Sequence, residues 1–486
     1  MSLIKKLVGQ TAVYGLSSML GRLLNYLLTP ILTNYFLPAA FGINTEFYAY
    51  ISFLNVLFTY GMETAYFRFC KQQDEGPVYS TGNSLLLLSS ILFSGLLLFA
   101  TPFINAKLHY EQYPYLMACM IGILFFDTLT TLPFARLRYE GKALQYAILR
   151  LFSIGVNISA TLLMVVVAPQ HPEWFGSLYK PSIGIGYVFI SNLLASALVF
   201  TYFIPNLVRH IRWPDMKLVK TLLPYALPLV VIGFAGMINE TFDRILLNYL
   251  IPDVHEAKTQ IGIYGACYKL SIIITLFIQA FRMAAEPFFF QHADKQDAPQ
   301  LYARVMYFFV AFCLVILFGT LFFMDTLQYF IGAQYRVGLG VVPILLVANL
   351  CLGVYYNLSI WYKLTNKTLA GSYITLFGAV ITLIINFAFI PEYGYVASAW
   401  ATLLCYAAMM IVSYIFGQRY YPIPYSIGKM GILTILWMAL YAVAHYLIAG
   451  VYSVHGLWAY HGAGVWTCAA LFLIGCGSTV WIVKRN

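Results

Sequence analysis

The stretch YARVMYFFVAFCLVILFGTLFFM, residues 302–324, holds no acidic residue and, after Arg304, no charge at all. At 1.5 Å per residue a helix of that length covers the roughly 30 Å of hydrocarbon in a bilayer. The run is continuous rather than alternating, so it reads as a helix and not as a strand of a closed barrel, the other structure that satisfies its backbone in lipid. Comparable runs recur near 11–33, 43–66, 81–104, 114–134, 145–168, 184–206, 222–250, 261–283, 341–362, 371–391, 395–416, 429–449 and 463–483. With 302–324 they make fourteen spans. Composition agrees: of 486 residues, 61% are hydrophobic and 9% charged, against roughly a quarter charged in soluble domains. Mean hydropathy is +0.78. The fold class is therefore an all-α polytopic membrane protein.

An even number of spans places both termini on one side, and Lys and Arg collect in cytoplasmic loops. With the N-terminus inside, the inner segments hold 20 of the 28 basic residues. The outer ones hold only Lys107, Lys180, Lys258 and Arg336, and Arg22, Arg150, Arg244 and Lys269 lie within spans. The expected location is the inner (cytoplasmic) membrane of a bacterium, with both termini cytoplasmic. Insertion topology and contact with anionic membrane lipids account for most of the net charge of +10, so no nucleic-acid partner is expected. The apolar stretch behind Lys5 and Lys6 is too long for a signal peptide and reads as a retained first helix. The eight cysteines form no CxxC pair and read as buried thiols. No loop exceeds about 20 residues, well short of a domain, so function has to live among the helices.

The two halves are related. Arg22-Leu-Leu-Asn25-Tyr26, Pro30 and Phe41-Gly42-Ile43 correspond to Arg244-Ile-Leu-Leu-Asn248-Tyr249, Pro252 and Ile261-Gly262-Ile263. Spans one and seven run in the same direction, which makes this a parallel repeat, and transporters built so bind substrate near the midplane. Chance similarity between two Leu-rich segments is the alternative. Counting spans gives an N-terminal lobe at 1–210, a C-terminal lobe at 211–420 and an additional helix pair at 421–486.

At this level the residues resemble a family. Gly21-Arg22 with Pro30, Phe36-Leu37-Pro38 through Phe41-Gly42, and Tyr60-Gly61-Met62-Glu63-Thr64 leading to Arg68-Phe69 look like the start of bacterial polysaccharide flippases. Tyr225-Ala-Leu-Pro228 leading to Asp243-Arg244, Gly262-Ile-Tyr264 with Lys269-Leu270, and Phe281-Arg282 to Glu286-Pro287-Phe288 do the same. The chain thus resembles the O-antigen and exopolysaccharide branch of the multidrug/oligosaccharidyl-lipid/polysaccharide superfamily. The resemblance implies two six-helix lobes about a central cavity that opens alternately to each face. It also implies an undecaprenyl-pyrophosphate-linked oligosaccharide as cargo, in lipopolysaccharide or other surface polysaccharide biosynthesis. A polysaccharide polymerase complex is open as a partner. Fourteen spans also occur in the lipid II flippase relatives.

Charges at membrane depth are costly and usually face a bundle interior or a watery cavity. Arg22, near the middle of span one, has the bidentate guanidinium that suits a pyrophosphate; its structural alternative is a pair with Asp127. Arg244 and Lys269, with Asp243 and Glu240 nearby, read either as a substrate contact or as an internal salt-bridge cluster. Asn25 suits a sugar hydroxyl or an interhelical hydrogen bond. Asp127 is the candidate coupling carboxylate for a proton or Na+. Glu63 reads as a gate or as an ion-pair partner of cytoplasmic basic residues. Arg150 is placed to snorkel to the headgroups. Pro30, Pro224, Pro228 and Pro343 allow bending, with span seven as a hinge.

No P-loop, HExxH or Cys/His metal spacing is present, so neither a cofactor nor a metal is expected. A membrane polymerase or ligase needs a sizeable external loop, which is lacking. A cation-coupled multidrug exporter needs an acidic cavity, whereas Arg22 and Lys269 favour an anionic cargo.

Overall fold

The computed structural model describes residues 3–111, 113–293, 295–451 and 463–484. Among them there is no strand, and fourteen helices of 18 residues or more stand where hydropathy predicts spans. In the first half these are α1 (Leu3–Tyr35), α2 (Pro38–Thr59), α4 (Glu75–Leu108), α5 (Pro114–Tyr139), α6 (Ala143–Leu162) and α8 (Gly186–His210), with short α3 (Met62–Phe69) and α7 (Pro172–Phe175) between them. The chain continues through α9 (Met216–Leu250), α10 (Val254–Gln291), α11 (Ala298–Phe322), short α12 (Met324–Leu327), α13 (Val341–Leu358) and short α14 (Ile360–Leu364). It ends with α15 (Thr368–Tyr393), α16 (Tyr395–Tyr420), α17 (Ile427–Val451) and α18 (Ala463–Lys484). Eleven of the described helices are long and apolar enough to cross a membrane. Helices α1, α2 and α18 occupy the remaining three predicted positions.

Two features depart from the hydropathy reading. Helices α4, α9 and α10 have 34, 35 and 38 residues, or about 50–57 Å at 1.5 Å per residue. They overrun the hydrocarbon, because hydropathy marks the membrane edge and not the helix end, and the predicted loops 67–80, 207–221 and 284–301 shrink to a few residues. The predicted span 43–66 is broken. Tyr60 (φ 31°) and Gly61 (φ 71°) both take left-handed backbone, which ends α2 and redirects the chain into α3. Gly61 adopts this freely, while Tyr60 is held there against its steric preference.

The prolines are milder than expected. Pro30 lies inside α1 and both Pro224 and Pro228 inside α9, and these helices continue through them. Pro343 falls in the first turn of α13, where its missing N–H has no partner to lose.

The chain divides into two compact units, 1–262 and 263–486. In the first, α5 packs on α4 and α8, α1 on α6, and α9 on α2 and α3. One apolar core joins Met62, Tyr66, Tyr79, Leu86, Leu132 and Leu222; another joins Phe134, Leu137, Tyr146, Leu149, Val199 and Phe203. In the second unit α16 packs against α13 and α15. There Trp361 is buried and donates through Nε1 to Ser413 Oγ at 3.3 Å. The C-terminal pair α17 and α18 docks on α11, with Trp437 stacked on Phe318 (5.4 Å between centroids) and donating to Thr479 Oγ1 at 3.1 Å.

The repeat seen in the sequence has a structural counterpart. A Cβ on Gly42 would sit 1.8 Å from the carbonyl oxygen of Lys258, four residues before Gly262. A Cβ on Gly262 would sit 1.9 Å from the carbonyl oxygen of Pro38, four residues before Gly42. The start of α2 and the second turn of α10 therefore cross in a reciprocal, locally two-fold contact that only glycine permits.

Candidate functional site

A cavity of about 470 Å³ lies within the first unit. Its walls come from the end of α2 (Asn55, Thr59), the left-handed turn and α3 (Gly61, Glu63, Thr64), one face of α5 and Arg150 of α6. The α5 face explains itself. Asp127, Thr130, Thr131, Phe134 and Arg138 recur three or four residues apart, so a helix lines them up on one side. A polar stripe along a helix this apolar has to face water or protein rather than lipid. The break at Tyr60-Gly61 supplies the opposite wall, because it turns Glu63 and Thr64 toward that stripe.

The charges in the cavity balance. Glu63 pairs with Arg138, whose guanidinium also sits 5.0 Å from the Phe67 ring centroid. Arg150 lies 4.1 Å from the centroid of the Phe134 ring, in the field of Asp127. The hydroxyls of Thr130 and Thr131 donate to the backbone oxygen of Asp127, each at 3.0 Å. Two carboxylates and two guanidiniums thus share a space that also holds the Asn55 amide and the Thr59 and Thr64 hydroxyls. It offers donors and acceptors to a hydroxyl-rich guest and fixed positive charge to an anionic one.

The cavity brings together two of the residues singled out in the sequence, Asp127 and Glu63. Arg150, expected to snorkel, is exposed and also lines the cavity, with its guanidinium over the Phe134 ring. Arg22 and Asn25 are exposed on α1, and Arg22 has no ion pair or hydrogen bond among the described residues, so its pair with Asp127 is not formed there. Gly21 packs on Ile154, one turn along α6 from Arg150. Arg244 is buried and donates to the adjacent Asp243 at 2.8 Å and to the Glu240 backbone oxygen at 2.5 Å. Lys269 is half-buried on α10 in the second unit.

A second charged group escaped the sequence reading. Glu46, fully buried on α2, pairs with Lys258 of α10 and accepts from Tyr110 Oη at 2.5 Å. Lys258 also donates to Tyr110 Oη at 2.6 Å. Lys258 was counted as an outer-loop charge; α10 begins before it, at Val254, and buries it. An acid within predicted span two was the available signal. The second unit carries its own ion pair, in which Glu286 of α10 accepts from Lys363 at 2.5 Å and from Arg282 at 3.1 Å.

Residues 7–293 match the family model described as "Polysaccharide biosynthesis protein", more than half of the sequence. The chain belongs to that family. It is 22% identical over 269 residues to a probable low-salt glycan biosynthesis flippase, Agl15, of Haloferax volcanii, a match covering 52% of this chain and 56% of that one. The match thus spans little more than half the length of that relative. Over 382 residues it is 23% identical to a membrane protein of Methanocaldococcus jannaschii, covering 77% and 88% of the two chains. In fold it is similar to the lipid II flippase MurJ in an inward closed conformation, with a TM-score of 0.73, 15% identity and coverage of 95% and 97%. It is similar also to a multidrug resistance MATE family transporter of the MOP superfamily, with a TM-score of 0.58, 14% identity and coverage of 84% and 94%. The chain is thus a multi-pass membrane protein of the polysaccharide biosynthesis family, with an all-helical fold similar to theirs.

Proposed function

We propose that this protein is a flippase that carries a lipid-linked oligosaccharide from the cytoplasmic to the outer leaflet of the cytoplasmic membrane. The polar, charge-balanced cavity among α2, α3, α5 and α6 carries this reading, since a bundle this apolar has no structural need for one. Its volume suits a pyrophosphate and the first sugars. The polyprenyl tail, for which undecaprenyl is the expected carrier, stays in lipid. Thr59, Thr64 and Asn55 meet sugar hydroxyls, and Arg150 meets phosphate oxygens, joined by Arg138 once Glu63 is displaced. Arg22, exposed and unpaired among the described residues, is the further cation available to the pyrophosphate.

Transport follows by exposing the headgroup site first to one face and then to the other. Asp127 is the group we assign to coupling: ionised, its charge acts on Arg150, and protonated or holding Na+ it leaves the charge of Arg150 to the cargo. An exporter of cationic drugs is the weaker reading, because the two acids of the cavity are matched by two arginines. Nothing in this scheme makes or breaks a covalent bond, so the protein acts as a transporter and not as an enzyme.

The experiment is deletion of the gene followed by analysis of surface polysaccharide and membrane lipid-linked oligosaccharides. Loss of polymer with repeat units accumulating on the cytoplasmic leaflet is the expected result. Normal polymer with altered sensitivity to cationic drugs would move the protein to the exporter class.

A further inference from the structure

Arg136 and Arg138 lie about 200° apart on α5, so the helix that points Arg138 into the first cavity points Arg136 away from it. There a second recess, of about 440 Å³, is enclosed by α4, α5, α6 and α8. Its floor is a fixed polar network. Arg136 is held by Glu75 at 3.2 Å and Glu140 at 2.9 Å, and its guanidinium lies 4.5 Å from the Tyr79 ring centroid. Tyr79 Oη donates to Asn206 Oδ1 at 2.5 Å. His210 donates from Nδ1 to the Asn206 backbone oxygen at 2.8 Å, which leaves Nε2 to accept from Arg136 at 3.1 Å. At the rim Lys142 pairs with Glu140 at 2.6 Å. Arg209 also lines the recess, is exposed, and has no acid or carbonyl partner among the described residues. Glu75 and Glu140 offset two of the three cations, and the charge of Arg209 is left over.

The mouth has a different character. Gln145 of α6 donates to Tyr202 Oη of α8 at 2.6 Å. From this bridge toward the membrane interior the same faces of the two helices carry exposed apolar side chains: Ile148 and Phe152 on α6 and Leu198 on α8. A soluble anion would use only the polar walls. An amphiphile uses both, with its head against Arg209 and its chains along the apolar flank. The recess lies at the span ends that the Lys/Arg count assigns to the cytoplasmic side, where anionic lipids attract basic residues.

We propose that this recess binds the phosphate headgroup of an anionic membrane lipid, with the acyl chains lying against Ile148, Phe152 and Leu198. It is separated from the candidate cargo cavity by the body of α5.

The test is native mass spectrometry of the full-length protein in detergent, titrated separately with phosphatidylglycerol, phosphatidylcholine and inorganic phosphate. Phosphatidylglycerol is expected to be retained over phosphatidylcholine. Retention should fall about fivefold in Arg209→Gln and about 25-fold in Arg209→Gln with Lys142→Gln. Arg212→Gln, which removes the same charge a few residues away and outside the recess, should change nothing. Ile148→Asn with Leu198→Asn should weaken the lipid and spare inorganic phosphate. Equal retention in the Arg209 and Arg212 variants would overturn the site. Binding of inorganic phosphate with no preference for the lipid would overturn the assignment of its ligand. Lipid retention is read without transport, so it stands or falls apart from the flippase reading.

Discussion

Lys258 and Glu46, 212 residues apart, form a buried ion pair closed over by Tyr110, whose ring centroid lies 4.1 Å from the ammonium nitrogen. Removing one partner of such a pair leaves an uncompensated buried charge and costs about 3–5 kcal/mol, while removing both together costs much less. Lys258→Met should therefore lower the thermal stability of the purified protein sharply. Lys258→Met combined with Glu46→Leu should recover most of the loss. A double variant as unstable as the single one would show that the pair is not the unit that matters.

The Gly42–Gly262 crossing predicts a different non-additivity. Each alanine substitution forces a backbone carbonyl away, an overpacking cost of about 1–3 kcal/mol. One separation of α2 from α10 accommodates both new methyl groups. The double Gly42→Ala, Gly262→Ala variant should thus lose less stability in thermal denaturation than the two single losses added together. Strict additivity would mean that the two glycines do not share one contact.

Glu63 and Arg138 are each about a third exposed, their side chains 41% and 32% accessible, so their pair contributes about 1 kcal/mol or less to stability. Glu63→Arg should cut polysaccharide export severalfold at unchanged protein level. Adding Arg138→Glu should restore part of it, because the cavity regains its balance of charge. A swap that restores nothing would tie function to the identity of each residue and not to the pair.

Arg22 is exposed and unpaired among the described residues, so Arg22→Ala and Arg22→Lys should leave the protein folded in the membrane. Export should drop at least tenfold in both, because neither alanine nor a point charge reproduces the bidentate fork. Unchanged export in both would remove Arg22 from the mechanism.

Asp127→Asn addresses coupling. Transport by this variant should no longer respond to an imposed proton or Na+ gradient, whereas Thr131→Val on the same face should keep the response. A gradient response intact in Asp127→Asn would locate coupling elsewhere.

The sequence made the membrane architecture legible because the span signal is collective: twenty apolar residues in a row outvote any single exception. Asp127 and Glu63 stood out for the same reason, as charges against an apolar background. What hydropathy missed were matters of backbone and partnership. Nothing in its smooth profile marks Tyr60 as left-handed, yet that residue breaks a span and helps build the cavity wall. Arg138 was counted with the cytoplasmic loops because it lies just past the apolar run, although α5 carries it into the cavity. The contact of Arg150 with the Phe134 ring was hidden because the two are sixteen positions apart in the sequence. The Glu46–Lys258 pair joins two elements with no sequence link. The Gly42 and Gly262 repeat was visible as a pattern, but its reciprocal contact was not.

The central claim is that this protein moves a lipid-linked glycan between leaflets, and reconstitution tests it most directly. Purified protein is incorporated into liposomes carrying a polyprenyl-pyrophosphate-linked oligosaccharide, and the glycan is probed with a membrane-impermeant glycosidase added outside. Glycan in protein-free vesicles should be digested only to the outer-leaflet half. With the protein present, digestion should run toward completion, and Arg22→Ala with Asp127→Asn should return it to half. Digestion that stops at half with folded wild-type protein present, under an imposed proton or Na+ gradient as well as without one, would contradict the account.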